Sequence, residues 1–359
     1  MNFDFGSLFS KKKPPMVGLD ISTSGVRLVE LSKNDKGEFT LECYASESLP
    51  RGAIVDGNID NIEHVTDAVR RVWRKSGTNA RAVVLGMPSA GVITRKIILS
   101  ANLSPDEMEV QVESEASQYI PFALDEVNLD FDVIGRVANS PEDVEVMLAA
   151  ARREKVEDRV AVAEAAGLKP VLMDIDTYAA RAAVERVMSH LPKSERGQII
   201  ALFRIGAQIA NFTVMVDRQS VYEREQPVGG NQLTQDIVRA YGMSFDEAEL
   251  KKKSGELPDT YEQSVLHPFM ESIAQEVARA IQFFFTSSPY TRVDHIFLAG
   301  GSATLPGLDE IVASRTRVKT SVASTFRGMR LSSKIRERQL QMEEPGYLVA
   351  CGLAMRRFD

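Results

Sequence analysis

Apolar and polar positions repeat the same pattern in two places, about half the chain apart. The run Met16-Val17-Gly18-Leu19-Asp20-Ile21 passes through Ser22-Thr23-Ser24-Gly25 into the apolar segment 26–31. The run 199–205 passes through Gly206-Ala207-Gln208 into 209–215. Each predicts an apolar strand, a tight turn of small residues and a returning strand. Arg204 occupies the place that Asp20 has in the first hairpin.

The rest of the chain reads as alternating helix and strand. Residues 39–44 form a third strand, and Ile62, Val65, Val69, Val72 and Trp73 mark a helix that stops near Gly77. On this stripe Trp73 reads as a core residue. A short buried strand at 82–88 ends at Pro88. From 92 to 172 the order is strand, helix, strand, strand, helix, strand. Its first helix opens on the capping box Ser104-Pro105-Asp106-Glu107 and runs to Tyr119-Ile120-Pro121-Phe122. A second capping box, Ser244-Phe245-Asp246-Glu247, opens a helix carrying Glu249 and Lys252 and closed by Gly255. Phe269, Ile273, Val277, Ile281 and Phe284 define a long core helix. A strand at 296–299 then meets Gly300-Gly301-Ser302-Ala303-Thr304, and a last helix spans 348–355.

The expected organisation is a tail at 1–15, a first lobe from 16–91 with 173–197, an inserted module at 92–172, and a second lobe at 198–359. A length of 359 residues suits two such bodies better than one core. A net charge of -7 disfavours nucleic acid as a partner. Two cysteines, Cys43 and Cys351, make no disulfide framework and favour a reducing compartment. No stretch is apolar enough to cross a bilayer, and a cytoplasmic location is expected. Phe3, Phe5, Leu8 and Phe9 before three lysines suit either a weak membrane contact or a plain leader, not stable insertion.

Turns built from Ser22, Thr23, Ser24 and Gly25, and from Gly206 and Ala207, can turn backbone N–H groups toward an anion such as phosphate. Asp20 can meet Mg²⁺ through water, the usual approach of that ion to protein carboxylates. Gly229-Gly230 and Gly300-Gly301, with Ser302 and Thr304, allow a ligand close to the backbone. Glu249 and Lys252, one helical turn apart, could flank a ribose and purine; alone they read as a solvated pair. The four histidines are scattered and suggest neither a metal cage nor a triad.

Taken together, two phosphate-type hairpins and a late glycine turn predict an α/β chain of the two-lobed, actin-like nucleotide-binding fold. Gly18-Leu19-Asp20-Ile21, Gln118 to Phe122 with Asp125 to Asp132, and Arg224-Glu225-Gln226 before Gly229-Gly230 resemble the PilM family of type IV pilus assembly, related in fold to FtsA. Gln282-Phe283-Phe284-Phe285, Leu298-Ala299-Gly300-Gly301 and Ala350-Cys351-Gly352-Leu353-Ala354 extend the resemblance over nearly the whole chain. It implies ATP and Mg²⁺ binding between lobes and an SHS2-like inserted module. It also implies docking of the cytoplasmic N-terminal tail of the inner-membrane protein PilN beside that module. Other pilus proteins, including the assembly ATPase, and self-association are further implied partners, with the protein peripheral at the inner membrane. The family pattern has Asp at 204 and Gly at 22, so ATP hydrolysis is expected to be absent or very slow. An FtsA-like polymerising membrane tether and an ATP-dependent kinase of this fold are the alternatives.

Overall fold

The computed structural model describes residues 14–137, 139–190, 199–217 and 219–358. The tail through Lys13 and the expected lobe boundary near Gln198 lie outside the described residues. In chain order, β1 (Met16–Ser22), β2 (Gly25–Lys33) and β3 (Phe39–Ser48) precede the short strands β4 (Ile54–Val55) and β5 (Asn58–Ile59). Then come α1 (Ile62–Ser76), β6 (Ala82–Met87), β7 (Val92–Ser100), α2 (Pro105–Tyr119), β8 (Val127–Val137) and β9 (Ser140–Arg152). α3 (Arg153–Ala165), β10 (Lys169–Ile175) and α4 (Asp176–Ser189) follow. The later half holds β11 (Ile199–Ile205), β12 (Ala210–Val216), β13 (Gln219–Gln226), α5 (Gly230–Tyr241), α6 (Phe245–Ser254) and α7 (His267–Ser287). It ends with β14 (His295–Ala299), α8 (Leu308–Thr316), β15 (Thr320–Val322), β16 (Arg330–Leu331), α9 (Glu337–Glu343) and α10 (Leu348–Met355).

The chain divides into two compact units. The first gathers the described residues up to Val26 with Ser46–Asp176, and the second Arg27–Ala45 with the described residues from Thr177 onward. In the first unit β10, β6 and β1 lie side by side and parallel. Val17, Leu19, Val83 and Leu85 bury the apolar runs that the sequence marks. α1 is set by local signals: Asn61 caps its first turn, and Gly77 closes it at φ 69°. Trp73 is not a core residue. It is half-buried, its Nε1 donates to Ala80 O at 2.9 Å, and the Arg81 guanidinium covers its ring 3.9 Å from the centroid.

A separate antiparallel sheet, β7-β9-β8, builds its own core in this unit. Ile97, Leu99, Val146 and Leu148 pack there on Met108, Val112 and Ala116 of α2. Both halves of the Ser104–Glu107 capping box form. β10, placed by sequence within 92–172, pairs with β6 instead, and α3 packs on α1 and β10. The second unit carries β2-β3-β16 and a five-stranded sheet, β13-β12-β11-β14-β15. α7 covers the latter, with Phe269, Ile273, Val277, Ile281 and Phe284 all in one core, as their spacing predicts.

Candidate functional site

In the second unit the hairpin and both glycine pairs converge. β11 and β12 pair antiparallel, with Arg204 opposite Asn211 and beside Ala299 of β14. Gly206 N donates to Ile209 O at 3.0 Å and closes the turn. The carbonyls of Gly206 and Ala207 then accept from Gly230 N at 2.9 Å and Asn231 N at 2.8 Å. These N–H groups open α5, so Gly229-Gly230 docks the helix on the hairpin and its first donors are already engaged. A Cβ on Gly229 would lie 2.5 Å from Ala207 O, and one on Gly230 2.6 Å from Ser302 Oγ. At Gly229 the neighbour is backbone and only glycine permits the approach, whereas at Gly230 it is a hydroxyl that can rotate aside.

Gly300 has φ 89° and ψ 171°, and a Cβ there would lie 2.2 Å from Ile205 O. Its N–H donates to Pro345 O at 2.8 Å, fixing the start of the turn. Gly301 is different. A Cβ there finds only Arg27 Nη2, at 3.8 Å, so the backbone is open on that side. Thr304 Oγ1 donates to Gly301 O at 2.8 Å and steadies the turn from below. The cradle therefore has one closed glycine and one open one, with a guanidinium beside the open one.

Glu249 and Lys252 are not a solvated pair. Lys252 Nζ donates to Thr234 Oγ1 at 2.5 Å and to the Glu249 carboxylate. Thr234 is 0% exposed; its Oγ1 is also 3.2 Å from Gly230 O and in bonding reach of Glu249. Its single proton serves one of those two acceptors. Burial acts to raise the Glu249 pKa, but the bonds from Lys252 and Thr234 and the charges of Lys252 and Lys253 prevail and hold it below the usual value. Burial pushes the Lys252 ammonium down, against the support of Glu249. α6 is thus tied through Thr234 to the glycine turn.

In the first unit Asp20 is buried near the end of β1. Ser22 Oγ donates to Gly25 O at 2.9 Å, while Thr23 is half-buried and Ser24 exposed. A Cβ on Gly25 would lie 2.4 Å from Glu47 O, again a backbone approach. Behind this strand end sits Arg159 of α3, 2% exposed. Its Nη1 donates to Ile21 O at 3.3 Å and its Nη2 to Gly57 O at 2.8 Å. Burial pushes its guanidinium down, and the charges of Asp20, Asp176 and Asp158 oppose that shift.

Three residues of this arrangement escaped the sequence reading: Arg27, Thr234 and Arg159. Arg27 follows the first turn by two positions and Thr234 follows Gly230 by four, spacings too common to select them. Arg159 sits on a helix whose charged residues look solvated. The cradle fits a nucleotide: an open backbone position, an adjacent cation and a fixed polar pair suit a base, sugar and phosphates. A divalent ion fits less well. Among the described residues no group of three His, Cys, Asp or Glu side chains could hold one, and Asp20 is the carboxylate at the end of β1.

The family model for the type IV pilus assembly protein PilM matches residues 18–358. The solved PilM-PilN type IV pilus biogenesis complex is similar at 27% identity and a TM-score of 0.80, covering 97% of this chain and 99% of that one. The cell division protein FtsA of Bacillus subtilis (strain 168) is 24% identical over 351 residues, 86% of this chain and 78% of its own. The ethanolamine utilization protein EutJ of Carboxydothermus hydrogenoformans shares the fold, at 16% identity and a TM-score of 0.56, with 95% and 89% of the two chains covered. The fold is the actin-like one that the paired hairpins predict. From residue 18 to residue 358, the chain belongs to the family of the type IV pilus assembly protein PilM.

Proposed function

We propose that this protein is a nucleotide-binding scaffold of type IV pilus assembly that docks the cytoplasmic N-terminal tail of PilN. The carrying observation is the likeness, over nearly both whole chains, to a PilM solved in complex with PilN. The nucleotide would lie on the second unit's cradle, with its nucleoside at Gly301, Ser302, Glu249 and Lys252. Arg204 and Ala207 would meet its phosphates; Gly206, expected from the sequence to turn its N–H toward an anion, spends that donor on Ile209 O and only shapes the turn. Hydrolysis would be slow or absent, since Arg204 stands where the first hairpin offers a carboxylate. Among the described residues no helix is long and apolar enough to cross a membrane. PilN would thus hold the protein peripherally at the inner membrane.

The tail is assigned to the side of the three-stranded module. Residues 92–152 carry twelve carboxylates against Arg95, Lys96, Arg136 and Arg152, a net of -8, which exceeds the -7 of the whole chain. A short segment with basic residues suits that surface. Tyr119 and Phe122, both exposed and faced by Arg95 and Arg152, offer apolar contact.

Calorimetric titration tests the assignment with a synthetic PilN tail peptide and with ATP. Replacing 92–152 by a short linker leaves α3 and β10 with β6, so the rest of the unit keeps its sheet. Peptide binding should disappear while ATP binding persists. Equal peptide affinity without the module would move the docking site elsewhere.

A further inference from the structure

We infer that this site takes its nucleotide without a divalent metal ion, protein guanidinium groups meeting the phosphate charge. The inference rests on the nucleotide reading above and concerns what accompanies the ligand. Mg²⁺ is held in proteins by one or two carboxylates together with the ligand's phosphates, in a demanding octahedral shell. The hairpin of the second unit offers no carboxylate at the end of its first strand. Asp20 ends one strand, and Arg204 occupies the same position in the other.

The charge around each position points the same way. In the first unit, Asp20 faces the buried guanidinium of Arg159, which is bonded to the carbonyl of the next residue, Ile21. The guanidinium is shared among Asp20, Asp176 and Asp158, and a fixed cation among carboxylates reduces what they can give a metal. In the second unit, Arg204 lies in a row across the sheet with Asn211 and Glu225, and Asn211 Nδ2 donates to Glu225 Oε1 at 3.1 Å. Lys252 and Glu249 offset each other, and Arg27 flanks Gly301. With Lys252 engaged by Glu249, Arg204 on the second hairpin and Arg27 beside Gly301 are two guanidinium groups placed at this site.

Arginine fits the role chemically. It stays charged at any working pH, and its planar fork binds phosphate oxygens in pairs. A metal-loaded polyphosphate would bring two further positive charges toward Arg204, whereas a free polyphosphate brings only acceptors. The preferred ligand class is therefore a nucleoside di- or triphosphate in its metal-free form.

Titration of the full chain with ATP and with ADP, once in EDTA and once in excess MgCl₂, reads this directly. Affinity should be equal or tighter in EDTA. Arg204→Asp should lose about tenfold or more in EDTA and recover part of it with Mg²⁺, as a carboxylate at that position would hold the ion. Arg204→Met, which removes the charge without adding an acid, should weaken binding in EDTA and gain nothing from Mg²⁺. Near-UV circular dichroism of each variant separates lost binding from lost folding. Wild-type binding that requires Mg²⁺, or an Arg204→Met variant that binds as well as wild type in EDTA, would overturn the inference. Absence of binding in both buffers would instead remove the nucleotide reading on which it stands.

Discussion

Gly300 and Gly301 are neighbours in sequence, yet substitution should affect them in opposite ways. At Gly300 the backbone lies at φ 89° and ψ 171°, a region almost reserved for glycine, where another residue costs of order 1–3 kcal/mol. An alanine Cβ would also sit 2.2 Å from Ile205 O. Ile205 is held in β11 between β12 and the turn, so relief requires a strand to shift, adding about 1–3 kcal/mol for overpacking. Gly300→Ala should therefore destabilise by about 4 kcal/mol, lowering Tm by roughly 8–16 °C for a body of this size. Gly301→Ala meets nothing nearer than Arg27 Nη2 at 3.8 Å. It should stay within about 0.5 kcal/mol of wild type. Gly301→Trp should also fold, and it places an indole where the nucleoside is proposed to lie. Ligand at about 100 times Kd stabilises wild type by about 2.7 kcal/mol. That gain should vanish in Gly301→Trp and persist in Gly301→Ala. Differential scanning calorimetry with and without ATP measures both effects. A Gly300→Ala protein melting within about 1 °C of wild type would refute the close-approach argument, judged against the shift expected per kcal/mol. A full ATP shift in Gly301→Trp would refute the pocket.

The other two predictions concern buried titratable groups. Glu249 titrates below its usual value when folded, so its contribution to stability is present above the ordinary glutamate pKa and is lost as pH falls through the lower folded value. Urea midpoints of wild type and Glu249→Gln should therefore differ at neutral pH and converge in acid; a gap unchanged down to pH ~3 would exclude the linkage. Burial pushes the Cys351 thiol up to about 12, so it stays protonated at mildly alkaline pH, whereas Cys43 is only half-buried beside Glu30. An aromatic disulfide reagent should label one thiol in the native protein and two after denaturation; rapid native labelling of Cys351 would contradict its place in α10.

The helices and the hairpins could be read from the chain because their signals are local. A Ser104–Glu107 box, an apolar residue every third or fourth position and a glycine at φ 69° act over a few residues, and α1, α2, α6 and α7 follow them closely. The recurrence of one hairpin with Arg204 in place of Asp20 was equally visible, since it needs only a comparison of two short runs. Other features depend on backbone brought from far along the chain. Gly229-Gly230 is expected to let a ligand near the backbone, and the N–H groups of Gly230 and Asn231 prove to be spent on Gly206 and Ala207. Lys252, alone, reads as part of a solvated pair until Thr234 takes its ammonium, and nothing local to Arg159 shows that Ile21 and Gly57 supply its acceptors. β10 left its sequence neighbours for β6 because a strand completes its hydrogen bonds with whichever edge the fold brings alongside. Desolvation and strand pairing are set by such distant partners, which no local window of sequence contains.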